Sequence, residues 1–76
     1  MKTPNHWILS YDIGSTGCKT CLYGLSDQLR LTDSALGEYE LKTLENGGAE
    51  QAPEDWWQAI AETTRTVMGR HPDITI

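Results

Sequence analysis

Basic side chains are scarce in this sequence: six lysines and arginines stand against eleven aspartates and glutamates, a net charge of -5. An acidic chain lacks the electrostatic footprint that displaces counterions from nucleic-acid phosphates, and it lacks a polybasic anchor for an anionic membrane. Long apolar runs are missing as well, and no stretch approaches the roughly eighteen consecutive apolar residues of a membrane-spanning helix. The apolar run after Met1 to His6 stops at Ser10, short of a secretory core, so a cytoplasmic protein without a signal peptide is expected. Cysteine and histidine are few: Cys18 and Cys21 in Cys-Lys-Thr-Cys, with His6 and His71 far away in sequence. A structural zinc site wants four ligands, and a redox pair wants a helix N-terminus to lower the thiol pKa. Positions three apart on a strand face opposite sides, so two strand thiols are expected rather than a metal or redox module. With 76 residues the chain is at most one small domain. Surface scaling lets such a chain bury only about 60% of what it exposes unfolded. Internal repeats, low-complexity tracts and linkers are absent.

What is present alternates first and spirals later. Trp7, Leu9, Tyr11 and Ile13 fall on one face of a predicted strand, with Ile8, Ser10 and Asp12 on the other. Gly14-Ser15-Thr16-Gly17 is a turn signal, and Cys18 to Leu25 reads as a second strand, so the pair predicts an antiparallel hairpin. After the polar turn Ser26-Asp27-Gln28, a third extended stretch runs from Leu29 to Leu41, interrupted near Asp33 or Gly37. Leu44 to Ala49 reads as a loop by its Asn-Gly-Gly content. A helix is predicted from Pro53 to Met68, with Pro53 at its first position and Glu54 and Asp55 in its first turn. Its apolar stripe is Trp57, Ile60, Thr64, Val67 and Met68, with Trp56 beside it. Both tryptophans are expected to be core anchors rather than platforms on which a ligand stacks. Gly69 and Pro72 are expected to stop the helix, and Ile74-Thr75-Ile76 to open another strand. His6 and His71 read as surface residues without partners. The predicted order is β-β-β-α-(β), an α/β arrangement with an antiparallel three-strand meander whose sheet is poorly covered.

The chemistry-bearing segment is Asp12-Ile13-Gly14-Ser15-Thr16-Gly17-Cys18-Lys19. Glycines let a backbone approach a phosphate, and consecutive N–H groups in such a turn form an anion-binding nest. Ser15 and Thr16 add hydroxyl donors, and Asp12 at a strand end is suited to a Mg²⁺ ion through water. The segment is neither a Walker loop nor a dinucleotide fingerprint. On these residues alone it reads as either a phosphate site or a plain hairpin turn, and Lys19 as either a phosphate ligand or a solvated strand lysine.

The segment resembles the first phosphate motif of the sugar-kinase superfamily that shares the actin and heat-shock ATPase fold. Carbohydrate kinases of the FGGY type open with Asp-Ile/Leu-Gly-Ser/Thr-Ser/Thr-x-x-Lys/Arg. A strand ending near a tyrosine follows, and then Gly-Trp-x-Glu-Gln-Asp-Pro-x-x-Trp-Trp. Here Tyr39 precedes Gly47-Gly48-Ala49-Glu50-Gln51-Ala52-Pro53-Glu54-Asp55-Trp56-Trp57. The resemblance runs from about Ile8 to Met68 and is closest to the xylulokinase branch. Two positions depart from it: Gly48 stands where the family has tryptophan, and Ala52 where it has the aspartate that caps the helix. A lost side-chain cap typically costs about 1 kcal/mol.

The resemblance implies a ribonuclease-H-like fold, with residues 1–76 a partial N-terminal FGGY kinase domain. It implies ATP and Mg²⁺ as cofactors, and a γ-phosphate passed to a hydroxyl of a sugar such as a pentulose. Asp12 would position the Mg²⁺–nucleotide complex, Gly14, Ser15, Thr16 and Gly17 would line the β- and γ-phosphates, and Lys19 would reach the nucleotide's phosphates. Glu50 and Gln51 would organise their loop. The sugar site, the catalytic base and the adenine pocket of such kinases come later in the chain, so these residues alone are expected to be inactive. Self-association through the open sheet edge is expected of them. The rival reading is a small acidic protein-interaction module without catalysis, which would use that edge to bind a partner.

Overall fold

The computed structural model of the chain describes residues 4–40, 42–43, 49–50 and 52–76, with 42–43 and 49–50 described through the backbone. Strand β1 (His6–Ile13) pairs antiparallel with β2 (Gly17–Leu25), with Ile13 opposite Cys18 and His6 opposite Leu25. A three-residue turn at Ser26–Gln28, closed by the Ser26 N–H on the Gln28 carbonyl at 3.3 Å, leads into β3 (Leu29–Glu38). The sheet order is β1-β2-β3, the expected meander. The interruption expected near Asp33 is a β-bulge: Leu22 opposes Asp33 while Tyr23 opposes Leu31, which leaves Thr32 as the extra residue. Gly37 does not interrupt the strand.

Two short strands were not anticipated. β4 (Lys42–Thr43) and β5 (Ala49–Glu50) pair antiparallel, so Ala49 belongs to a strand rather than a loop. The remainder of the expected loop, 44–48, lies outside the described residues, as do Leu41 and Gln51.

Helix α1 spans Pro53–Arg70. Pro53 opens it as expected, and Ala52 at the N-cap makes no side-chain capping bond, although its carbonyl accepts the Asp55 N–H at 3.0 Å. The helix runs two residues past Met68, so Gly69 is not its stop. The end is set instead by tertiary anchors: Arg70 and His71 both reach Asp33 on β3, and the His71 N–H bonds the Met68 carbonyl at 3.1 Å. Pro72 then bars continuation. Residues 74–76 form no strand, because the Ile74 N–H turns back to the His71 carbonyl at 3.1 Å and no described strand lies alongside.

The helix also presents a different face from the expected one. Ala59, Thr63 and Val67 are buried, whereas Trp57 is 71% and Trp56 37% exposed. The cause is close approach. A Cβ on Gly37 would lie 3.0 Å from Thr63 Cγ2 and 3.2 Å from Ala59 Cβ, so α1 sits too near β3 for a tryptophan face. Against it β2 turns Cys18, Thr20 and Leu22, all fully buried. Thr63 donates its hydroxyl to the Ala59 carbonyl at 2.7 Å, so Thr20 donates to Thr63 across 2.7 Å. Thr64 donates to the Ile60 carbonyl and takes the Tyr11 hydroxyl, each at 2.6 Å. Among the described residues no helix is long and apolar enough to cross a membrane.

Candidate functional site

Strand alternation puts Asp12 and Lys19 on the sheet face opposite α1, and the register makes them direct cross-strand partners at the base of the turn. Leu36 on β3 stands next to Lys19 on that face. Asp12, Gly14, Ser15, Thr16 and Lys19 are exposed and Gly17 is half-buried. The structure therefore brings together all six residues that the sequence singles out. The Gly14 N–H closes the turn on the Gly17 carbonyl at 2.8 Å.

The two glycines serve different ends. A Cβ on Gly17 would sit 2.8 Å from the Gly37 carbonyl oxygen, so the β2–β3 contact requires glycine there. A Cβ on Gly14 would meet nothing nearer than the Gly17 carbonyl oxygen at 3.6 Å, an ordinary contact. The fold tolerates a side chain at Gly14, and its absence leaves the turn surface open to a ligand.

Tyr39, just past β3, clamps this turn. Its hydroxyl sits between the carbonyl oxygens of Gly14 and Gly17, 2.9 Å from the latter, and its N–H donates to the Thr16 carbonyl at 3.0 Å. Loss of hydration, and secondarily the nearby Cys18, push the phenol above its ordinary pKa, so it keeps its proton at neutral pH. In sequence the tyrosine was only a landmark. Its grip spans 22 to 25 residues, and no local pattern reveals that.

Beside the turn lies a recess of about 350 Å³ lined by Thr16, Gly17, Leu36, Glu38 and Tyr39. A neighbouring groove of about 400 Å³ is lined by Glu38, Glu40, Asp55 and Glu62 among others, which makes that side hostile to a bare anion. A phosphate is better received from the side of Lys19, and better still with a cation. Among the described residues no group of three or more His, Cys, Asp or Glu could hold a metal ion. Asp12 is a single exposed carboxylate. That suits Mg²⁺, which keeps several waters and is commonly held by one or two carboxylates plus substrate phosphates.

The other sequence candidates fall elsewhere. Cys18 and Cys21 are free, buried thiols on opposite faces of β2, as alternation requires. Glu50 is described only as strand backbone. His6 is exposed, whereas His71 is half-buried and bonds Asp33 at 2.9 Å, a partner that the sequence reading did not find.

No family model matches this chain, and no solved structure matches it. A curated protein does: over 67 residues, 88% of this chain, it is 33% identical to a gluconokinase of Bacillus licheniformis. The same stretch is 13% of that protein's length. Over most of its length, then, the chain is similar to a small part of a carbohydrate kinase.

Proposed function

We propose that this chain is the N-terminal phosphate-binding segment of an ATP-dependent carbohydrate kinase of the FGGY type, built on a ribonuclease-H-like fold and acting in the cytoplasm. The observation that carries the reading is the juxtaposition of Asp12 and Lys19 across the mouth of a Gly-Ser-Thr-Gly turn whose Gly14 the fold itself does not need. The similarity to a gluconokinase agrees with it. Ser15, Thr16 and Gly17 line the β- and γ-phosphates of ATP with backbone N–H groups and hydroxyls, and Gly14, whose own N–H closes the turn, leaves them room to approach. Lys19 supplies positive charge to the same phosphates. Asp12 would hold Mg²⁺, and such an ion would supply positive charge against the phosphate oxygens.

In the whole kinase a sugar hydroxyl attacks the γ-phosphorus, its bond to the β-phosphate oxygen breaks, and ADP leaves. The base that takes the hydroxyl's proton lies outside these 76 residues. Phosphoryl transfer is chiefly positioning and electrostatic stabilisation, so this segment alone does not turn over. Gluconate, from the relative's name, and pentuloses, from the xylulokinase resemblance, are the acceptors to screen first.

Asp12→Ala in the longer kinase carrying this segment should abolish sugar phosphorylation in an ATP-coupled assay, with the circular dichroism spectrum unchanged. Gly14→Ala should likewise keep the fold and lose activity. Near-normal turnover in Asp12→Ala would overturn the role given to Asp12.

A further inference from the structure

The geometry points to Tyr39 as a positioning residue of the phosphate turn, holding the carbonyls of Gly14, Thr16 and Gly17 on one side so that N–H groups face the other. The inference rests on the phosphate reading of residues 14–17 above.

A turn that receives an anion must keep its carbonyl oxygens away from it, because each oxygen carries partial negative charge. Three of the four turn residues have their carbonyls against Tyr39: the Gly14 and Gly17 oxygens share its single hydroxyl proton, and Thr16 accepts its backbone N–H. In a trans peptide the C=O and the following N–H point in opposite directions. Fixing the Gly14 carbonyl toward Tyr39 therefore turns the Ser15 N–H away from it, and fixing the Thr16 carbonyl does the same for the Gly17 N–H. Both N–H groups belong to the nest that the phosphate reading needs. The end glycines hold only the Gly17 carbonyl between them, through the Gly14 N–H, and glycine is the residue least restricted in φ and ψ, so the Gly14 and Thr16 carbonyls depend on Tyr39. Tyr39 is not a catalytic residue, because it acts on the far side of the turn from the ligand.

The test uses the 76-residue chain, wild type and Tyr39→Phe. Phenylalanine keeps the ring and the N–H bond to Thr16 and removes the hydroxyl alone. Two readouts are taken: backbone order at Gly14–Gly17 by heteronuclear NOE, and affinity for sodium triphosphate with Mg²⁺, read from Ser15 and Gly17 amide shifts. Order in the turn is expected to fall, and affinity to drop roughly two- to tenfold, the scale of one neutral hydrogen bond. Exchange of the Leu22 and Val67 amides should not change. Tyr39→4-aminophenylalanine, which keeps a donor at the ring tip, should restore both readouts.

Unchanged turn order in Tyr39→Phe overturns the inference whatever triphosphate does. A loosened turn with undiminished affinity overturns it too, and so does global unfolding of Tyr39→Phe, which would make the tyrosine structural. If wild type fails to bind triphosphate while its turn loosens in Tyr39→Phe, the phosphate reading itself falls and takes the inference with it.

Discussion

On the face that α1 covers, β2 contributes Cys18, Thr20 and Leu22 against Ala59, Thr63 and Val67, all small or medium side chains buried to within a few per cent. On the other face, Ile8, Leu29, Leu31 and Leu36 stand between 42% and 65% exposed. Both faces carry apolar side chains, since Trp7, Leu9, Tyr11 and Ile13 of β1 stand on the covered one, so fit together with hydrophobicity has decided the helix's seat. Gly37 and Ala59 allow close approach, and the threonine hydroxyls are paired rather than stranded. The division also separates two tasks. Stability is concentrated under α1, whereas Asp12 and Lys19 lie on the open face. Substitutions should therefore part folding from binding.

The largest expected effect is at Leu22. Leu22→Ala removes a fully buried side chain from the covered face, a change that costs about 2–5 kcal/mol and would leave a chain this small largely unfolded. Leu36→Ala on the open face should stay within about 0.5 kcal/mol of wild type in urea unfolding. Equal losses at the two sites would break the contrast between the faces. A middle effect is expected at Thr63. Thr63→Val strips Thr20 of its oxygen acceptor and leaves it only the Cys18 sulfur at 3.9 Å, which should cost about 1–3 kcal/mol. Removing both hydroxyls, in Thr20→Val with Thr63→Val, should cost less than Thr63→Val alone. A double variant less stable than the single would mean that an unpaired Thr20 hydroxyl is not what Thr63→Val costs, and that Thr20 contributes through another contact such as the Cys18 sulfur at 3.9 Å.

The parts of this architecture that follow from neighbours in sequence were legible in it. Alternation in 7–13, glycines at 14 and 17, and Pro53 with two acids behind it mark the hairpin and the helix start. A four-residue turn between strands makes Asp12 and Lys19 face each other, so the heart of the candidate site was visible as well. The unread parts depend on distant partners. Ala59 and Thr63 do not register in a stripe of large apolar residues, so the tryptophans drew the helix face around by about one position. Gly69 reads as a stop until Asp33, 37 residues upstream of Arg70, is seen to hold the helix end. Tyr39 is mute for the same reason.

That anchor carries the smallest of these effects and the sharpest pH signature. Asp33 Oδ2 lies 2.9 Å from His71 Nε2, and Oδ1 lies 3.0 Å from Arg70 Nη1 and accepts the Ser34 N–H at 2.7 Å. The His71 bond first, then the Ser34 N–H and then Arg70, hold its carboxyl below the ordinary value of 3.8 against the opposing pull of desolvation. A carboxyl with a lowered folded pKa takes up protons more readily in the unfolded chain. Its contribution is therefore complete above the ordinary value and fades as the pH falls through the folded one. Wild-type stability should show an acid-side fall below about pH 4 that is shallower in Asp33→Asn, with the two curves converging at the lowest pH. Arg70 is 54% exposed, so salt should weaken only part of the difference. Parallel curves for wild type and Asp33→Asn would mean that the helix end is held by its backbone and by Val67 rather than by the carboxylate. The covered face would then depend on packing alone.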